Sequence, residues 1–106
     1  MNLRPDWVLD KFRSHPLGSQ EHLGEDAEVI VKYFNPFGAG TWLITEAELQ
    51  PDGNWLLFGY CHITEWEWGY VSLDQLEHLK FWLKDAYSLI EIDEYCRGKT
   101  IKEAVA

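Results

Sequence analysis

Between Ala27 and Val71 the chain holds four strand-like runs joined by links too short for a crossover, and this limits the fold more than any other feature. Ala27-Glu28-Val29-Ile30-Val31-Lys32-Tyr33-Phe34 is rich in β-branched and aromatic residues, with Val29, Val31 and Tyr33 on one face. Asn35-Pro36-Phe37-Gly38-Ala39-Gly40 punctuates it as a turn. A second strand is expected over Thr41–Leu49, and Pro51-Asp52-Gly53-Asn54 supplies turn chemistry after it. The near-continuous apolar run from Trp55 to His62 suits a central strand, and Gly59 within it marks a bulge or a close backbone approach. Ile63-Thr64-Glu65 turns the chain into a fourth strand, Trp66–Val71. Parallel neighbours need a crossover of a dozen or more residues, so these strands pair antiparallel.

The flanks read as helical. Asp6 is the candidate N-cap of a short helix carrying Trp7, Val8, Leu9 and Phe12, which ends near Ser14-His15-Pro16 because proline disfavours helix in the residue before it. Leu17–Asp26 is an acidic loop. Ser72-Leu73-Asp74-Gln75 has the spacing of a capping box, and Leu73, Leu76, Leu79 and Leu83 then recur at helical spacing toward an end near Lys84. Leu89-Ile90-Glu91-Ile92 reads as a short fifth strand, Arg97-Gly98-Lys99-Thr100 as a turn, and Ile101–Val105 as a last helical turn. The expected fold class is α+β: an antiparallel sheet of four to five strands, one main helix from Leu73 to Leu83 on a face, and a short N-terminal helix. With 106 residues this is one domain.

Charge sets the expected partners. The chain has 18 Asp and Glu against 9 Lys and Arg, a net charge of −9. From Ser14 to Leu79 a single base, Lys32, faces 11 acids. Phosphate backbones are repelled by such a centre, so direct nucleic-acid binding is not expected, whereas a protein partner with a basic surface is. No apolar run approaches the roughly 18 residues a membrane helix needs, and the first residues lack a signal-peptide pattern, which points to a cytoplasmic protein. Cys61 and Cys96 are expected as reduced, buried thiols, although their positions leave a disulfide open.

Few residues suggest chemistry. Glu46 and Glu48, like Glu65 and Glu67, stand two apart, where strand side chains share a face about 6–7 Å apart. Such pairs can serve a hydrolase, with Glu46 and Glu67 as candidates, or simply face water. Glu46 and Glu67 are alternatively buried carboxylates matched by a partner. Trp42, Trp55, Tyr60, Trp66, Trp68 and Tyr70 fall on three adjacent strands. They can form the core, a homodimer or partner interface, or a carbohydrate or small-ligand platform. The four His and two Cys have no metal-ligand spacing, and no phosphate-cradling or nucleophile motif is present, so no catalytic residue and no cofactor is expected.

The segments Val31–Phe37, Thr41-Trp42, Thr45-Glu46, Leu57-Phe58-Gly59-Tyr60, Glu67-Trp68-Gly69-Tyr70 and Ser72-Leu73, in this order, resemble a bacterial family, domain of unknown function 2958. The likeness runs from Ala27 to Ala106 and leaves out Arg4–His15. The family's closing motif, Ile-Glu-Arg-Asp-Leu-Tyr-Phe, falls on Ile90–Cys96, with Ile92 in place of the arginine, and Lys99-Thr100-Ile101 resembles its Lys-Thr-Leu ending. The resemblance implies a small protein of plasmids, phages and integrative elements, often near antirestriction genes. The function expected is therefore a non-enzymatic, antirestriction or anti-CRISPR-like interaction module, its surface centred on Glu46, Glu48, Glu65, Glu67, Trp66, Trp68 and Tyr70.

Overall fold

The computed structural model describes the backbone of residues 1–81 and 84–106, and the side chains of residues 1–79 and 89–106. In chain order the elements are α1 (Asp6–Ser14), a 3₁₀ segment (Glu21–Asp26), β1 (Val31–Phe34), β2 (Thr41–Leu49), β3 (Trp55–His62), β4 (Trp66–Ser72), α2 (Leu73–His78), β5 (Lys80–Phe81), β6 (Lys84–Ser88), β7 (Glu91–Ile92), a 3₁₀ turn (Glu94–Cys96) and α3 (Ile101–Val105). One antiparallel sheet runs β4-β3-β2-β1-β7, and β5-β6 form a separate hairpin. The α+β reading and the antiparallel order therefore hold. Among the described residues β4 has no strand on its outer side.

Several boundaries differ from expectation. Pro5, not Asp6, is the N-cap of α1, and it makes no side-chain cap. The strand expected from Ala27 begins at Val31, because Val29 instead bonds to Lys99 and Glu28 bridges Thr100. The main helix stops at His78. Leu79 has left helical geometry, is exposed, and accepts the Leu89 N–H, which closes the β5–β6 hairpin. Leu83 of the expected stripe lies outside the described residues. The Ser72 hydroxyl accepts the Gln75 amide as foreseen, but Asn54, not Gln75, completes the cap, donating to Ser72 and accepting from Asp74. A full capping box forms instead at Thr100 and Glu103, heading α3.

The sheet has a core on each side. On the first, Val8 and Phe12 of α1, Leu73 and Leu76 of α2, and Leu3 pack against Val31, Tyr33, Trp42, Ile44, Ala47, Trp55 and Leu57. On the second, Ala27, Val29, Cys96 and Ile101 cover Leu43, with Tyr60 and Trp66 half-buried against them. Hydrogen bonds fasten the N-terminal segment: Tyr33 donates its hydroxyl to the Leu3 carbonyl at 2.6 Å. Arg4 forks onto Glu77 at 2.6 and 2.9 Å. Cys61 packs with the first core and Cys96 with the second, and both are free thiols.

A bulge lies in β2. Pairing with β3 runs in register to Ile44↔Gly59 and resumes at Glu46↔Phe58, leaving Thr45 as the extra residue. The strand's alternation therefore flips. Trp42 and Ile44 face the first core before the bulge and Ala47 faces it after, while Glu46 turns to the second side. The bulge presses the backbone of Leu43 and Ile44 onto Gly59, where a Cβ would lie 2.0 Å from the Leu43 carbonyl oxygen. The close approach expected of Gly59 is this one.

Candidate functional site

Cross-strand partners share a face, so the β3–β4 register sorts the hairpin into two surfaces. Leu57, Gly59 and Cys61 pair with Val71, Gly69 and Glu67 on the first-core side. Phe58, Tyr60 and His62 pair with Tyr70, Trp68 and Trp66 on the second side. There the rings form a ladder: His62 on Trp66 at 5.1 Å, Tyr60 on Trp66 and Trp68 at 5.0 and 4.9 Å, and Phe58 on Trp68 and Tyr70 at 5.7 and 5.1 Å. One end, at Tyr60 and Trp66, packs against the second core, and the other is open, with Trp68 41% and Tyr70 67% exposed. The six rings singled out in the sequence thus divide: Trp42 and Trp55 are core, Tyr60 and Trp66 are half-buried, and Trp68 and Tyr70 face solvent.

Beside the open end runs the segment Leu17–Gly24, held by two side chains. Glu46, only 3% exposed, accepts the Gly18 amide at 2.7 Å on one carboxylate oxygen and the Gln20 amide at 3.0 Å on the other. The Gln20 side chain donates to the carbonyls of Glu28 and Thr45 at 2.9 and 2.8 Å and accepts the Glu28 amide at 2.8 Å. Every polar atom of this buried pair is thereby engaged, as burial requires. Glu46 does not belong to an exposed acidic surface, and the bulge is why: it aims the carboxylate at the loop amides instead of the solvent.

Between segment and ladder lies a cleft with two lobes. One, about 220 Å³, is lined by Gln20, Glu21, Gly24, Thr45, Glu46, Phe58 and Trp68. The other, about 160 Å³, is lined by Leu17, Gly18, Glu21, Glu46, Phe58 and Tyr70. Glu21, Glu46 and Phe58 are common to both lobes, and among the described residues no Lys or Arg lines either. Glu48 is exposed two residues beyond Glu46 on the same side, and Glu65 is exposed in the β3–β4 turn. Glu67 is exposed on the opposite side of the sheet, over Cys61 in a shallow hollow of about 260 Å³.

The two hydrolase candidates, Glu46 and Glu67, are consequently kept apart. Glu46 and Glu67 project from opposite sides of the sheet, so they cannot flank one bond. Among the described residues no three His, Cys, Asp or Glu side chains gather as metal ligands. Many other acids are matched by bases: Asp10 by Arg13, Glu28 by Lys11, Asp74 and Glu77 by Arg4, and Asp93 by Lys32. Glu21, Glu48, Glu65 and Glu67 have no ion pair among the described residues.

Fold and site define a small antiparallel α+β domain with one half-open aromatic face. The family described as protein of unknown function (DUF2958) matches residues 6–101, and the chain belongs to that family. The match takes in α1, which the motif resemblance left out, and the resembling segments Thr45-Glu46, Phe58-Gly59 and Trp68-Gly69-Tyr70 meet at the bulge and cleft. No curated protein and no solved structure matches the chain significantly. Among the described residues no helix is long and apolar enough to cross a membrane.

Proposed function

We propose that this domain is a non-enzymatic interaction module that binds a basic segment of a partner protein on the open face of the β3–β4 hairpin. The observation that carries the reading is the exposure of Trp68 and Tyr70 beside Glu21, with Glu48 exposed on the same side of the sheet and no base among the described residues lining the cleft. Exposed aromatic rings supply contact area at low entropic cost, and the surrounding carboxylates favour a cationic partner over an apolar or anionic one. A mobile-element protein acting in the bacterial cytoplasm meets such partners among nucleic-acid-binding defence proteins, such as restriction or CRISPR components. Their basic grooves would take an acidic surface in place of a phosphate backbone. A second copy of this chain is disfavoured on this face, because it would bring the same carboxylates together.

The test is capture from a host bacterial lysate at low salt, by the wild-type chain and by a Trp68→Ala/Tyr70→Ala double variant. The reading expects a basic protein retained by the wild type alone and released as salt rises, since exposed charges are screened within about 10 Å at 0.1 M. Retention of nothing specific, or of the same proteins by both chains, counts against it. The carbohydrate-binding alternative uses the same rings, because they are not fully buried. It predicts binding of a neutral oligosaccharide that is indifferent to salt.

A further inference from the structure

We propose that the cleft between Leu17–Gly24 and the β3–β4 ladder receives the guanidinium of an arginine from the partner protein. The inference rests on the basic-partner reading and specifies which cation is read. Three features select it. The floor is a carboxylate fixed in place by two backbone amides, one on each oxygen. A carboxylate offers about four acceptor positions, so each oxygen of Glu46 retains one. The walls are flat rings, Trp68 in one lobe and Tyr70 in the other, with Phe58 shared. The far wall carries a second acid, Glu21, and no base among the described residues lines the space.

Each class of occupant meets these features differently. An apolar side chain leaves the Glu46 oxygens without further partners, and an anion is repelled. The lobes here, about 220 and 160 Å³, suit a single head-group. Between the two cationic side chains, lysine's ammonium is compact and strongly hydrated, so it loses more on entering an aromatic space. A guanidinium is planar and weakly hydrated. It stacks on Trp68 or Phe58 and donates paired N–H bonds to a carboxylate in the same plane.

The test uses the full chain with two synthetic decapeptides of alternating glycine and arginine, or glycine and lysine. Affinity is measured at low and moderate salt, and NMR follows the Trp68 indole N–H. The arginine peptide is expected to bind on the order of tenfold tighter, shifting the Trp68 signal. Trp68→Ala should abolish that preference. Tyr70→Ser, at a side chain exposed enough to spare the fold, should reduce it. Glu48→Gln and Glu65→Gln, outside the cleft, should weaken both peptides alike and leave the ratio unchanged. Equal binding of both peptides by the wild type, or an arginine preference that survives Trp68→Ala, overturns the arginine cleft and leaves the basic-partner reading standing. Failure of both peptides to bind at low salt overturns both readings.

Discussion

Removing the Glu46 carboxylate, itself only 3% exposed, would leave the amides of Gly18 and Gln20 without their acceptor. Glu46→Ala should therefore cost about 1–3 kcal/mol in urea denaturation and speed hydrogen exchange at those two amides before any others. Gly59 is equally constrained. A methyl there meets the Leu43 carbonyl oxygen at 2.0 Å, so Gly59→Ala should destabilise by about 3 kcal/mol, unless the bulge itself is lost. Cys61 gives a pH signature. Burial pushes its thiol up to about 11, whereas an unfolded cysteine titrates near about 8.5. The folded protein keeps this proton longer, so stability is intact below pH about 8.5 and falls as pH rises toward 11. Alkylation of Cys61 by iodoacetamide should be slow at pH 8 and quicken across that range. At this scale the sequence is legible where a residue is odd for its place: a glycine inside an apolar strand, a glutamate between Thr45 and Ala47. The role of Glu46 hides behind the bulge. Apolar residues occupy Trp42 and Ile44, then Ala47 and Leu49, and that change from even to odd positions is the available signal.

At the scale of elements, caps and turns decide where the chain changes direction. The Ser72 hydroxyl serves both Asn54 and the Gln75 amide at the start of a helix only six residues long. Ser72→Ala should cost about 1 kcal/mol, a typical loss for an N-cap, read as a lower Tm. Thr100 and Glu103 cap α3 reciprocally, and hydrogen bonds from Thr100 hold the Glu103 carboxyl below its ordinary range. That contribution is present at neutral pH and is lost as pH falls through the lowered value. The three long strands, β2, β3 and β4, are readable to within a residue because turn chemistry brackets them. The end of α2 is not. Leu79 continues the leucine spacing, yet its carbonyl is claimed by Leu89 from ten residues away. A local pattern does not register a partner that arrives later in the chain.

For the whole molecule, the position of charge matters more than its total. Bases answer the acids around α1, α2 and β1, while the hairpin's carboxylates stand without counterions among the described residues. Both cleft-lining acids, Glu21 and Glu46, lie in the base-poor stretch visible in the sequence, but which acids face outward depends on tertiary pairing that composition does not encode. One consequence concerns β4, the seven-residue strand with no neighbour on its outer side among the described residues. An uncovered strand is an invitation to pair with another copy, and it is normally defended by prolines, lysines or bulges. Here the guard is Glu65 and Glu67 together with the chain's overall negative charge. That guard is removable: near pH 4.7, the isoelectric point, repulsion between copies vanishes. Light scattering should show self-association setting in there and reversing as the pH is raised. Glu67→Gln should move its onset toward neutrality, making electrostatic repulsion the term that keeps neighbouring copies apart.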